Sequence, residues 1–438
     1  MVQLQPKIML EEQLRQQIIA LVKREVVPAV GCTEPIAVAL AVASSQSLLK
    51  GHPARIHVIL SPNMLKNAMG VGIPGTGMSG LPIAVALGAV CGDPKANLEV
   101  LAGVTPDDVV KGKSLVDNGV VTISLAPEGC DILYIEATVT DDNGHIATTI
   151  ISGSHTNIVR QELDGKVLTC SDSSIGSEVK TAASAPKLTM SQVWEFAMES
   201  PLDELKFILE SRRLNKLAAE RSFTGRYGHE VGRTLHCERQ RAMMGDSIFS
   251  RVLSYTSAAC DARMAGAPIP VMSNSGSGNQ GIAATLPVAI YAEEQFASEE
   301  QTVRALMLSH LTVIYIKQSL GRLSALCGCV VAATGSACGI CYLMGGDFEK
   351  VVATAKNMIA NLTGMICDGA KPSCAMKLAS GVSTAMMSAM MAMEGQSVCQ
   401  LEGIVDDDID RCVSNLTRIG REGMRETDRL ILEIMTSK

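Results

Sequence analysis

"ILYIEATVTDDNGHIATTIISG", residues 132–153, alternates β-branched and polar positions on either side of Asp141-Asp142-Asn143-Gly144. Alternation at period two is a strand pattern, and Asn-Gly between two such runs signals a tight hairpin turn. The stretch predicts two antiparallel strands. Upstream, "ARIHVIL" (54–60) and "GVVTISLA" (119–126) have the same texture, and "GMSGLPIAVALGAVCG" (77–92) reads as a helix between them. Residues 51–175 therefore predict a smaller α/β domain carrying a mostly antiparallel sheet.

The pattern changes on both sides of this domain. Over 8–29, Leu14, Ile18, Leu21 and Val22 recur at helical spacing; Pro28 ends that helix, Gly31 opens a break, and 36–49 resumes as a second helix. Residues 1–50 are thus expected to be N-terminal helices packing on a helical domain or bridging the two domains. Residues 176–190 are polar, small and Ser-rich, and predict a linker. Thr189 or Ser191 is the candidate N-cap of the next helix. From 191 to 438 nearly everything reads as helix, with Gly-containing interruptions at 273–281, 344–346 and 364–370. The predicted class is α+β: a largely all-helical domain from the C-terminal half plus the N-terminal helices, and the smaller α/β domain.

Of 438 residues, 19% are charged, 47% apolar and only 3% aromatic, with a net charge of −7. This is a globular composition, and without a Lys/Arg-rich run it does not predict a nucleic-acid partner. The abundance of Gly, Ala, Ser, Met and Cys predicts close helix crossings. Two uncharged stretches, 67–92 and 323–346, are rich in small residues and lack aromatic belts, so they read as buried core and not as membrane spans. The N-terminal residues lack the pattern of a secretory leader, which predicts a cytoplasmic protein whose fourteen cysteines stay reduced.

Several motifs have chemical potential. "SNSGSGNQG" (273–281) precedes an apolar helix and matches neither nucleotide-binding glycine pattern; it reads as an anchor for a carboxylate or as a capping loop. Lys66, with Asn63 and Asn67, sits in a second Gly-rich stretch, either solvated on a mobile turn or desolvated as a base or anchor. His155 follows a predicted strand, where a structural role competes with a catalytic one. Cys338-x-x-Cys341 lies inside a continuous apolar run and reads as packing. Cys32 and Cys367 differ: each sits in a Gly-punctuated break beside a carboxylate, Glu34 or Asp368. Thiolates on such loops suit zinc or an iron–sulfur cluster, and the residues alone do not choose between them.

Taken together, "GCTEPIAVALA" (31–41), "SPNMLKNAMGVGIPGTGMSGLPIA" (61–84), "GSHTNIV" (153–159), "SAACDARM" (257–264), "SNSGSGNQGIAAT" (273–285), "RLSALC" (322–327) and "GMICDGAKPSCAMK" (364–377) resemble the L-cysteine desulfidase family, which is related to the α-chain of iron–sulfur L-serine dehydratases. The resemblance runs from about residue 15 to the C-terminus. It implies a [4Fe–4S] cluster on Cys32, Cys327 and Cys367, with Cys374 as a spare ligand. It implies pyridoxal-phosphate-independent β-elimination from L-cysteine to hydrogen sulfide, ammonia and pyruvate, with an open iron as Lewis acid. Ser275, Ser277, Asn279, Asn63, Asn157 and Arg263 are then substrate-binding candidates. Lys66 is preferred over His155 as the base, and Glu34 binds the substrate ammonium or fixes its own loop. Asp261 and Arg263 are read as an internal ion pair or as support for the site. The rivals are an L-serine dehydratase on the same site, a non-catalytic amino-acid or metal-binding protein, and a pyridoxal phosphate lyase using Lys66. The only other partner expected is a second copy of the chain, a homodimer being the usual state of a soluble enzyme of this size.

Overall fold

The computed structural model describes residues 10–127, 129–170, 185–321 and 323–437. Its class is α+β, with a six-stranded sheet, a two-stranded pairing and a large helical assembly. The order across the main sheet is Val121–Leu125, Pro53–Leu60, Tyr134–Asp141, Ile146–Ser152, Ile158–Leu163, Lys166–Cys170. Every pairing is antiparallel except the first. That parallel pair is joined through the helices Pro62–Ala68, Leu81–Cys91 and Pro106–Asp117, the crossover that parallel strands require.

The hairpin read from residues 132–153 runs in register from Tyr134 opposite Ser152 to Thr140 opposite Ile146. Its period of two puts Ile135, Ala137, Val139, Ala147 and Ile151 on the buried face. The last two strands were not among those expected. Their turn, Asp164-Gly165, holds both residues at positive φ (50° and 78°), the conformation that a two-residue hairpin turn needs.

The expectation that the N-terminal helices pack on the helical domain is corrected for the second of them, and the two divide between the domains. Glu12–Glu25 packs on the helical domain through Ile18, Leu21 and Val22. Thr33–Gln46 instead covers the main sheet together with Leu81–Cys91. The reason is its composition: every residue from Glu34 to Ser45 is buried, so this helix has no solvent face and needs a layer on each side.

The helical assembly is built around Gly328–Leu343, buried continuously from Cys329 to Cys341. It packs against Gly278–Glu294, Glu299–Leu320, Phe348–Leu362 and Cys374–Met393. Small residues permit the close approach: a Cβ at Gly335 would lie 2.4 Å from the carbonyl oxygen of Ser309. Cys338 and Cys341 are buried in this helix as packing groups. Among the described residues no helix is long and apolar enough to cross a membrane. The expected linker lies outside the described residues up to 184. Beyond it, Thr189 caps Met190–Glu199 in a reciprocal box with Gln192. At the other end of the chain, Arg425–Thr436 crosses to Pro62–Ala68 and places Leu432 in the core of the sheet domain.

Candidate active site

Two short backbone pairings bring distant loops together where the sheet domain meets the helices. Pro28–Val30 pairs antiparallel with Pro270–Met272. The N–H of Ser273 donates to Val27 O (2.8 Å) and that of Ser275 to Glu25 O (3.0 Å), which lays the 273–277 loop beside the Cys32 break. An isolated bridge joins Leu326 to Ile366. Around it the Cys327 N–H donates to Met365 O (3.0 Å) and the Cys367 N–H to Ala325 O (2.7 Å). Cys32, Cys327, Cys367 and Cys374 thereby line one cavity.

Cys32 is the N-cap of Thr33–Gln46, Cys327 of Gly328–Leu343 and Ser277 of Gly278–Glu294, while Cys374 opens Cys374–Met393. Four helix N-termini thus face the cavity, an arrangement that favours anions. Among the described residues no three or more His, Cys, Asp or Glu side chains meet closely enough to hold a single metal ion.

The thiols are not equivalent. Cys32 donates to Glu34 Oε2 at 2.9 Å; burial, and then the Glu34 carboxylate, push its pKa well up, while Arg263 pulls it down. For Cys327 the hydrogen bond from Cys329 is the largest influence and lowers the pKa. Burial raises Cys367 against the pull of Lys66. Cys260 was not singled out from the sequence, yet it is buried, donates weakly to Asn279 Oδ1 (3.5 Å) and feels the charges of Cys374 and Cys327. It lies mid-helix without a break in the chain, which is why its neighbourhood was not legible.

The cavity wall also carries Glu34, His155, Arg263, Ser275, Ser277 and Asn279. Ser275 donates to Asn274 Oδ1 (2.8 Å). Arg263 Nη1 donates to Asn279 Oδ1 (3.1 Å). Asn67, Gln280 and Lys317 line the cavity as well, and the last two were not read from the sequence.

Three candidates are not on this wall. Asn157 turns its amide onto Ser152 O (2.9 Å) and closes its own loop. Asn63 is half-buried one turn before Asn67 on Pro62–Ala68. Lys66, the preferred base, is neither solvated nor on a mobile turn: it is 2% exposed and forms an ion pair with Asp428 of Arg425–Thr436. An ammonium engaged by a carboxylate away from the cavity wall is not placed to take a proton from a molecule bound there. Asp261 and Arg263 do not pair either, because positions two apart on a helix face different ways. Asp261 Oδ2 accepts the Gly232 N–H at 2.8 Å, and burial pushes its carboxyl up to about 7.

A family model described as serine dehydratase alpha chain matches residues 95–433. The chain belongs to the serine dehydratase alpha-chain family. It is 61% identical over 427 residues to a UPF0597 protein of Bacteroides fragilis, covering 98% of this chain and 99% of that protein. Similar proteins include UPF0597 proteins of Porphyromonas gingivalis (56% over 428 residues, 97% and 99% covered) and Oleidesulfovibrio alaskensis (50% over 420 residues, 96% and 97% covered). The family model starts after Cys32 and Glu34, whereas the full-length relatives span almost the whole chain. Cys327, Cys367, Cys374 and the 273–281 loop all fall within the matched range.

Proposed function

We propose that this chain is a [4Fe–4S]-dependent, pyridoxal-phosphate-independent lyase that eliminates the β-substituent of L-cysteine, giving hydrogen sulfide, ammonia and pyruvate. The observation that carries this reading is that Cys32, Cys327 and Cys367 line one cavity together with the 273–277 loop. The donor set fits the group. Three thiols from three separate breaks in the chain line one cavity, and thiolates are the donors an iron–sulfur cluster takes. Cys32, Cys327 and Cys367 would hold the cluster, and three protein ligands would leave one iron free to act as a Lewis acid toward the substrate.

The chain's own groups supply the rest. Cys32 must lose its proton to become a ligand, and Glu34 Oε2 at 2.9 Å is placed to take it. His155, on the cavity wall, is the proposed base for the Cα proton. Ser275 and Ser277 offer hydroxyls to the bound amino acid, and the Ser275 hydroxyl is aimed by Asn274. The aminoacrylate that leaves hydrolyses in water to pyruvate and ammonia.

The family description favours a second reading, elimination of water from L-serine at the same site. A hydroxyl and a thiol leaving group make the same demands on the base, so pyruvate release from the two substrates, measured side by side, distinguishes them. The decisive preparation is anaerobic, with iron and sulfide counted and activity assayed on the same sample. Brown protein with about four irons per chain, active on cysteine, is the expected result. Colourless, iron-free protein with full activity overturns the reading, and if borohydride then abolishes that activity the pyridoxal phosphate alternative replaces it. Iron-replete protein that releases no pyruvate from either amino acid leaves the non-catalytic alternative.

A further inference from the structure

Two buried side chains on the cavity wall carry polar atoms that no protein group satisfies. Arg263 is 3% exposed, and its Nε has no hydrogen-bond partner. Gln280 is 4% exposed, and its Oε1 has none either. Buried polar groups are nearly always paired, so an unpaired one on a cavity wall calls for a partner.

Their positions are fixed. The Arg263 side chain packs against Gly278, where a Cβ would come within 2.2 Å of Nε. Its Nη1 is held by Asn279 Oδ1. Among the described residues no carboxylate stands at ion-pair distance from it, so the cation has no counter-charge of its own. The Gln280 amide lies against Gly328, directly after Cys327, where a Cβ would be 2.9 Å from Cδ. The glycines at 278 and 328 thus make room for these two side chains. Glu34, the carboxylate on the same wall, is engaged by the Cys32 thiol.

An unused guanidinium N–H complements a carboxylate, and an unused amide oxygen complements an ammonium. We infer that Arg263 binds the α-carboxylate and Gln280 the α-ammonium of a free amino-acid zwitterion, so that the cavity requires both groups on one molecule. The inference deepens the lyase reading and rests on it for the substrate class. Arg263 and Gln280 are binding residues here: they position the amino acid, and the β-substituent is left to the rest of the cavity.

The test uses anaerobically purified full-length protein and two half-substrates, 3-mercaptopropionate, which lacks the amine, and cysteamine, which lacks the carboxylate. Binding is measured by calorimetry, with the visible spectrum recorded for each variant. Arg263→Gln, which keeps a planar group against Gly278, is expected to weaken 3-mercaptopropionate at least tenfold and to leave cysteamine within twofold. Gln280→Leu is expected to do the reverse. Gln280→Glu is expected to tighten cysteamine and weaken 3-mercaptopropionate, and it reports on the same contact if Gln280→Leu does not fold. Equal losses for both ligands, or no loss in any variant, overturn the assignment, as does wild-type protein that binds neither ligand. The lyase reading fails separately: wild-type protein that releases no pyruvate from cysteine or serine but still shows the crossed binding pattern retains the zwitterion site without the elimination.

Discussion

Cys32 keeps its proton because it is buried beside a carboxylate, whereas Cys327 is drawn toward the thiolate by Cys329. Thiols destined for metal must lose that proton, so the proposed ligands separate by experiment. Changing Cys32, Cys327 or Cys367 to Ala is expected to remove bound iron and visible absorbance together, whereas Cys374→Ala keeps both if it is only the spare thiol; iron analysis of the four variants checks this. The same scale distinguishes the two candidate bases. His155 lines the cavity and Lys66 does not. His155→Gln is therefore expected to lower kcat by about 10²–10⁴-fold with iron content unchanged. Steady-state kinetics on iron-replete enzyme measure it, and an unaltered kcat removes His155 from the role.

The 273–277 loop is held from behind by a buried polar chain across four elements. Asn274 Nδ2 donates to His310 O (3.1 Å) and lies 3.0 Å from His310 Nδ1, and Thr285 Oγ1 lies 2.9 Å from His310 Nε2. Asn215 ties Thr285 to the Met272 carbonyl. Burial lowers the His310 pKa to about 3, so this ring is neutral in the folded protein, while Asp261 titrates at about 7. The two have opposite effects on stability. Below its unfolded value near 6.5, His310 binds a proton only when unfolded, so stability falls as pH drops toward 3. Between about 4 and 7, Asp261 holds a proton only when folded, so stability falls as pH rises through that window. Asp261→Asn is expected to remove the second slope and leave stability rising with pH from about 4 to 6.5. Urea midpoints at pH 5 and pH 8 for both proteins check the sign. None of this chain was legible in the sequence, because Asn215 and His310 lie far along the chain from the 273–285 segment, with no common spacing. The three-residue pairing Pro28–Val30 with Pro270–Met272 was hidden for a related reason: so short a strand completes no alternation. Longer signals, such as the Asn-Gly hairpin and the Thr189 capping box, were readable because they are local.

Over the whole molecule, local pattern predicted the elements better than their partners. Thr33–Gln46 follows the helical domain's N-terminal helix in sequence, yet it covers the sheet, and Arg425–Thr436 returns from the end of the helical half to the same domain. Both ends of the chain thereby fasten the sheet domain across the cavity that lies between it and the helices. Long-range pairing of this kind has no sequence period. The C-terminal tie includes Leu432, 5% exposed in the sheet-domain core, and the ion pair of Asp428 with the buried Lys66. Gly369, two residues after Cys367, packs against the Lys66 carbonyl, so the tie adjoins a proposed ligand loop. Removing one partner of a buried pair leaves the other charge uncompensated, at a cost of about 3–5 kcal/mol. With the Asp428 side chain 20% exposed, Asp428→Leu is expected near the lower figure. Replacing both partners, as in Lys66→Met with Asp428→Leu, removes the stranded charge and is expected to recover most of that loss. Urea unfolding of the two single variants and the double closes the cycle. If the double variant is as unstable as the sum of the singles, the pair contributes nothing, and the C-terminal helix is held by its apolar contacts.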